Sequence, residues 1–92
     1  MPNYVQNILD ELAVRLEDCP PELLDLYALL AMTRGWETSL EDVHDAWAIW
    51  KNRVAPDHKS LIPFEQLTSE VQLLDSKYQA AIHEVAALTA IS

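Results

Sequence analysis

Glycine occurs once in this chain, at position 35, and cysteine once, at position 19. A lone cysteine excludes an intrachain disulfide and fits a reducing compartment. A lone glycine excludes a glycine-rich phosphate loop, and with only five prolines it also excludes linker-like or collagen-like composition. Basic residues are scarce, six against fifteen acids, for a formal net charge of −9. No stretch approaches the roughly 20 apolar residues that cross a bilayer. The start, MPNYVQNILDELAVRL, lacks the basic end and apolar run of a secretory signal. These shortages predict a cytoplasmic protein with no membrane contact.

The negative charge is unevenly spread. Residues 1–50 hold ten acids and two bases, and residues 51–92 hold five and four. Such a field repels phosphate backbones and anionic membranes, so no direct nucleic-acid binding is expected. Its natural complement is a basic protein surface, although acidity of this degree also serves plain solubility. Half of the residues are apolar, enough for a core, and the charged share is ordinary, which argues against disorder. Length predicts one domain, residues 1–92. There is no internal repeat.

The hydrophobic spacing is helical throughout and predicts an all-α fold: a compact bundle of four helices at about 3–18, 22–34, 39–54 and 69–90, with a proline-containing loop at 55–67. Val5, Ile8, Leu9, Leu12 and Leu16 share one face of the first helix, Asn3 caps it, and Cys19-Pro20-Pro21 stops it. PELLDLYALLAMTR is apolar on more than one face, which marks a central helix, and Gly35 sits where a left-handed cap is needed. Thr38 with Glu41, or Ser39 with Asp42, offers a capping box for the third helix. Its apolar stripe is Leu40, Val43, Trp47, Trp50 and Val54, widened by Ala46 and Ile49. Leu61 to Phe64 read as an apolar clip folding back on the core, with Pro63 opening a single helical turn. Val71, Leu74, Tyr78, Ala81, Ile82, Val85 and Leu88 recur along one long last helix. Its alanines (80, 81, 86, 87 and 90) make it thin, suited to intrachain packing or to self-association as a homodimer.

Chemistry concentrates in SLEDVHDAWAIW, residues 39–50. Glu41-x-x-His44 has the spacing of a di-metal carboxylate site, but no second such pair exists, so no metal is expected. Cys19 has no histidine motif beside it, no nucleophile elbow occurs, and no catalytic residue or cofactor is predicted. His44 and Trp47 lie one turn apart and can clamp a planar ligand, or else be core and its hydrogen-bonded border. Three tryptophans in so short a chain are hard to bury fully, and a partly exposed one commonly anchors an interface.

EDVHDAWAIW, followed by His58, by SLIPFEQL at 60–67, and by Asp75 and Tyr78, resembles the RyR domain, the module named for ryanodine receptor repeats. Glu41, Val43, His44, Asp45, Trp47 and Ala48 match one block, and His58, Leu61, Ile62, Pro63, Phe64 and Leu67 the other, while Asp42 replaces the usual asparagine. The likeness covers about residues 40–88 and extends loosely to short actinobacterial and phage proteins. It implies a mainly helical, non-catalytic module in which His44 and Trp47 line a pocket for an aromatic or nucleotide-like molecule. Lys51 to Asp57 is too short for the insert that usually walls such a pocket.

Two roles follow as expectations. The first is a protein-interaction module docking on a partner or on itself through Trp36, Trp50 and the acids Glu37, Glu41, Asp42 and Asp45. The second is a small-ligand binder using His44, Trp47, Lys51 and His58.

Overall fold

The computed structural model describes residues 3–89. Five α-helices follow one another: α1 (Tyr4–Arg15), α2 (Pro21–Thr33), α3 (Leu40–Val54), α4 (Ser69–Leu73) and α5 (Ser76–Thr89). Three-residue 3-10 turns stand at Gly35–Glu37 and Phe64–Gln66, and no strand occurs among the described residues. The all-α bundle expected from the hydrophobic spacing is the fold found, with α4 and α5 making up its fourth member.

Local chemistry fixes the helix ends. Asn3 Oδ1 accepts the Gln6 N–H at 2.8 Å and starts α1. Pro21 opens α2, where its missing N–H costs nothing. Gly35 then takes a φ of +52°, a conformation that any side chain would strain, and turns the chain into the 3-10 segment. Of the two capping boxes the sequence offers, Ser39 and Asp42 form theirs. Each side chain accepts the other's backbone N–H at 3.0 Å, and the Arg34 guanidinium donates to the same Asp42 carboxylate. Burial alone would raise the Asp42 pKa, but the Ser39 N–H and Arg34 hold it below the ordinary carboxylate value. Thr38 is buried instead, and its carbonyl accepts from Gln79 Nε2 and His83 Nε2 at 3.0 and 2.9 Å. Those two bonds tie the start of α3 to α5.

α2 is the central helix and packs against α1, α3 and α5. The core draws Ile8, Leu12 and Leu16 from the first segment, Leu23, Tyr27 and Ala28 from α2, Val43 and Ala46 from α3, and Ala81, Ile82 and Val85 from α5. Each large aliphatic side chain so buried contributes about 1.5–3 kcal/mol. Leu29 and Met32 stay exposed, so α2 keeps one strip toward solvent. Val5, Ile49, Val54, Leu74 and Leu88, expected in apolar stripes, are also exposed. The thin side of α5 is used within the chain: Ala81 and Ala86 are buried, and Ala86 lies against Gly35.

The last helix does not run unbroken over 69–90 as the stripe predicts; its end at Ala90 lies outside the described residues. A turn at Leu74 and Asp75 divides it. No proline or glycine marks the break. Its two parts are held by different anchors: Gln72 Nε2 donates to the Phe64 carbonyl at 2.9 Å, while Gln79 and His83 hold α5 to Thr38. Among the described residues, no helix is long and apolar enough to cross a membrane.

Candidate functional site

His44 and Trp47 lie one turn apart on the inner edge of α3. Their rings stack with centroids 5.7 Å apart. His44 is buried at 3% exposure, and its Nε2–H donates to the Ile62 carbonyl at 2.8 Å. A carbonyl can only accept, so that nitrogen carries the proton. This one bond fastens the loop of residues 55–63 to α3, and Phe64 closes over the imidazole at 6.1 Å. His44 is thus hydrogen-bonded and more buried than a border residue, and Trp47 is partly buried against the core.

The fastened loop carries His58 to Trp47. Their rings meet edge to face at 5.3 Å and 80°. The Ser60 N–H donates to His58 Nδ1 at 3.0 Å, which leaves the proton of the neutral ring on Nε2. Val71, Leu74, Asp75 and Tyr78, spaced as one helix face, form the opposite wall. Together with Ser60 and Lys77 these residues line a cleft of about 510 Å³. Tyr78 backs onto the buried Tyr27 at 5.4 Å, and Lys77 Nζ lies 4.9 Å over the Tyr78 ring.

Of the four predicted ligand contacts the cleft gathers His44, Trp47 and His58. Lys51 is not among its walls; its ammonium lies 5.3 Å over the Trp50 ring instead. Ser60, Val71, Leu74, Asp75, Lys77 and Tyr78 join the site without having been singled out as ligand contacts. One signal for the far wall was present: Asp75 is an acid within an otherwise apolar stripe.

Of the predicted partner contacts, Trp36 and Glu37 on the 3-10 turn sit beside the start of α3, since Arg34 bonds both the Glu37 carbonyl and Asp42. Trp36 stands 64% exposed on the 3-10 turn, stacked obliquely on His83 at 5.5 Å. Glu37, Glu41 and Asp45 are exposed, and Asp42 is engaged as a cap. Trp50 packs against the core from the opposite side of α3 to Glu41 and Asp45, because five and nine residues along a helix do not return to one face. It is partly buried, with one side of the indole on the core. Among the described residues no three His, Cys, Asp or Glu side chains converge to hold a metal ion.

Two charged-state effects bear on the cleft region. Burial raises the Cys19 thiol to about 11, against an opposing pull from Lys77. Burial also raises the Asp75 pKa above its ordinary 3.8, with His44 opposing. A carboxyl whose folded-state pKa is raised destabilises the fold as pH climbs from the unfolded value through the folded one. Asp75→Asn is therefore expected to raise the melting temperature at about pH 7 and to leave it nearly unchanged at about pH 3, where both forms are neutral. Circular-dichroism melts at the two pH values measure this.

The chain matches the model of one family along residues 3–87, described as a domain of unknown function, DUF7701. No curated protein and no solved structure matches it. The match overturns the RyR resemblance. That likeness began near residue 40, whereas the family begins at residue 3, and the core admits no division there, since α1 and α2 supply Ile8, Leu12, Leu16, Leu23 and Tyr27. Of the residues that carried the likeness, Val43, His44 and Leu67 are interior here, and Trp47, Ala48, His58, Leu61 and Phe64 are partly buried; apolar types at such positions recur in unrelated helical bundles. The implied missing insert rested on the same likeness and goes with it, and the family match lends no support to a phage relationship. The chain belongs to the DUF7701 family.

Proposed function

We propose that this protein is a small non-catalytic binding protein of the cytoplasm whose cleft between α3 and α5 takes a planar, partly aromatic small molecule. The supporting observation is the convergence of Trp47, His58 and Tyr78, from three separate segments, on one opening of about 510 Å³. Pockets for small molecules commonly fall between about 300 and 1,000 Å³, with apolar walls and a few polar groups. The near-perpendicular Trp47 and His58 rings make a corner in which a flat ring stacks on one and meets the edge of the other. His58 Nε2–H, Ser60 and Asp75 supply the polar groups that orient it.

A thermal-shift panel of nucleosides, indoles and aromatic amines tests this. At least one compound should raise the melting temperature saturably, because a ligand at about 100 times its Kd adds about 2.7 kcal/mol to stability. Trp47→Leu, with helicity retained by circular dichroism, should abolish the shift. A panel without effect, or a shift that survives Trp47→Leu, contradicts the proposal.

A second reading, docking on a basic partner protein or on a second copy, is favoured by one observation. Trp36 is far more exposed than a tryptophan ordinarily is, and the exposed acids Glu37 and Glu41 follow it in the chain.

A further inference from the structure

We propose that the molecule the cleft takes is an organic cation: a flat ring joined by a short arm to a primary ammonium group, the ring lying at Trp47 and His58 and the ammonium at Asp75. This deepens the reading of the cleft as a small-molecule site and rests on it.

Asp75 carries the argument. It is half-buried in the cleft wall, and among the described residues no side chain forms an ion pair or a hydrogen bond with its carboxylate. The one ammonium nearby in sequence, Lys77, lies over the outer Tyr78 ring instead. Holding a carboxylate away from water without a partner disfavours its charged form, in line with its raised pKa. A ligand cation relieves that cost on arrival, which a neutral ligand does not.

Lys77 is the one lysine or arginine lining the cleft, and the aromatic lining favours a cation: Tyr78 shares the wall of Asp75 and Trp47 lies opposite, and aromatic faces attract cations. Asp75 thus leaves an acceptor group in the cleft wall that no side chain among the described residues uses. Of the charged and titratable groups facing Asp75, His44 has its Nε2–H committed to Ile62, and His58 has its Nδ1 committed to Ser60. The formal charge of −9 adds a long-range pull in the same direction. A phosphate or carboxylate ligand would meet Asp75 and this field as repulsion.

Calorimetric titration of the intact protein with three probes of similar ring size tests the inference: tryptamine (cationic), indole (neutral) and indole-3-propionate (anionic). Tryptamine should bind about tenfold to a hundredfold tighter than indole, the range expected of one hydrogen bond to a charged group, and the propionate should bind weakest. In Asp75→Asn the tryptamine-to-indole ratio should fall toward one. The comparison on the native protein stands even if that variant misfolds. Equal affinities, or preference for the propionate, overturn the cation assignment and leave the cleft as a ligand site. No binding by any probe, together with a flat thermal-shift panel, overturns both.

Discussion

Trp50→Ala is expected to lower the unfolding free energy by about 2–3 kcal/mol, which in a domain of this size moves the melting temperature down by roughly 10–20 °C. Trp36→Ala should change stability by no more than about 0.5 kcal/mol. The contrast comes from burial. Trp50 packs against the hydrophobic core, so its removal leaves a space that the surrounding helices fill only in part. Trp36 stands on the 3-10 turn with most of its ring in water, touching His83. Denaturant titration of the two variants measures the difference. Light scattering on the same samples separates the roles further. If the chain self-associates through its exposed indole, Trp36→Ala lowers the molar mass at unchanged stability. A stable Trp50→Ala variant would mean that the core does not extend to that ring.

The second large effect belongs to His44. His44→Ala should cost about 2–4 kcal/mol, combining a lost buried ring with a lost hydrogen bond to the Ile62 carbonyl. His44→Phe separates the two contributions, since it fills nearly the same volume without the donor, and should cost about 1–2 kcal/mol. The consequence reaches beyond stability. The loop that carries His58 and Ser60 is held to α3 by this bond and by the packing of Phe64 on the imidazole. Without them the wall opposite α5 loses its position. Ligand affinity in His44→Phe should therefore fall at unchanged helical content, read by calorimetry and far-ultraviolet circular dichroism. A variant that binds as well as the native protein would show that the loop is placed by other contacts.

Much of the fold was legible because its signals are local. Asn3, Pro21, Gly35 and Ser39 each act on the backbone within four residues, and each stands at a boundary where its chemistry predicts one. The break at Leu74 and Asp75 was not legible, since no proline or glycine marks it and the bonds that anchor its two sides run to Phe64 and Thr38, outside the helix. The cleft was half legible for the same reason. His44 and Trp47 announce themselves by helical spacing, whereas which wall faces them depends on where α4 and α5 are anchored. The tryptophans were only partly legible, for a different reason. A count of three tryptophans says that some ring remains exposed, but not which: Trp36 stands out in solvent, whereas Trp47 and Trp50 are both partly buried against the core and Trp47 alone of the two lines the cleft. The RyR likeness failed because it matched short blocks from residue 40 onward, whereas the family match and the core both take in α1 and α2.

The three indole N–H groups, of Trp36, Trp47 and Trp50, provide separate reporters for the claim that the cleft is a binding site. Nitrogen-edited NMR of the labelled protein during titration with tryptamine should shift the Trp47 indole signal saturably, with the Trp36 and Trp50 signals nearly fixed. Movement confined to Trp36, or no movement at Trp47 at saturating ligand, would contradict the account.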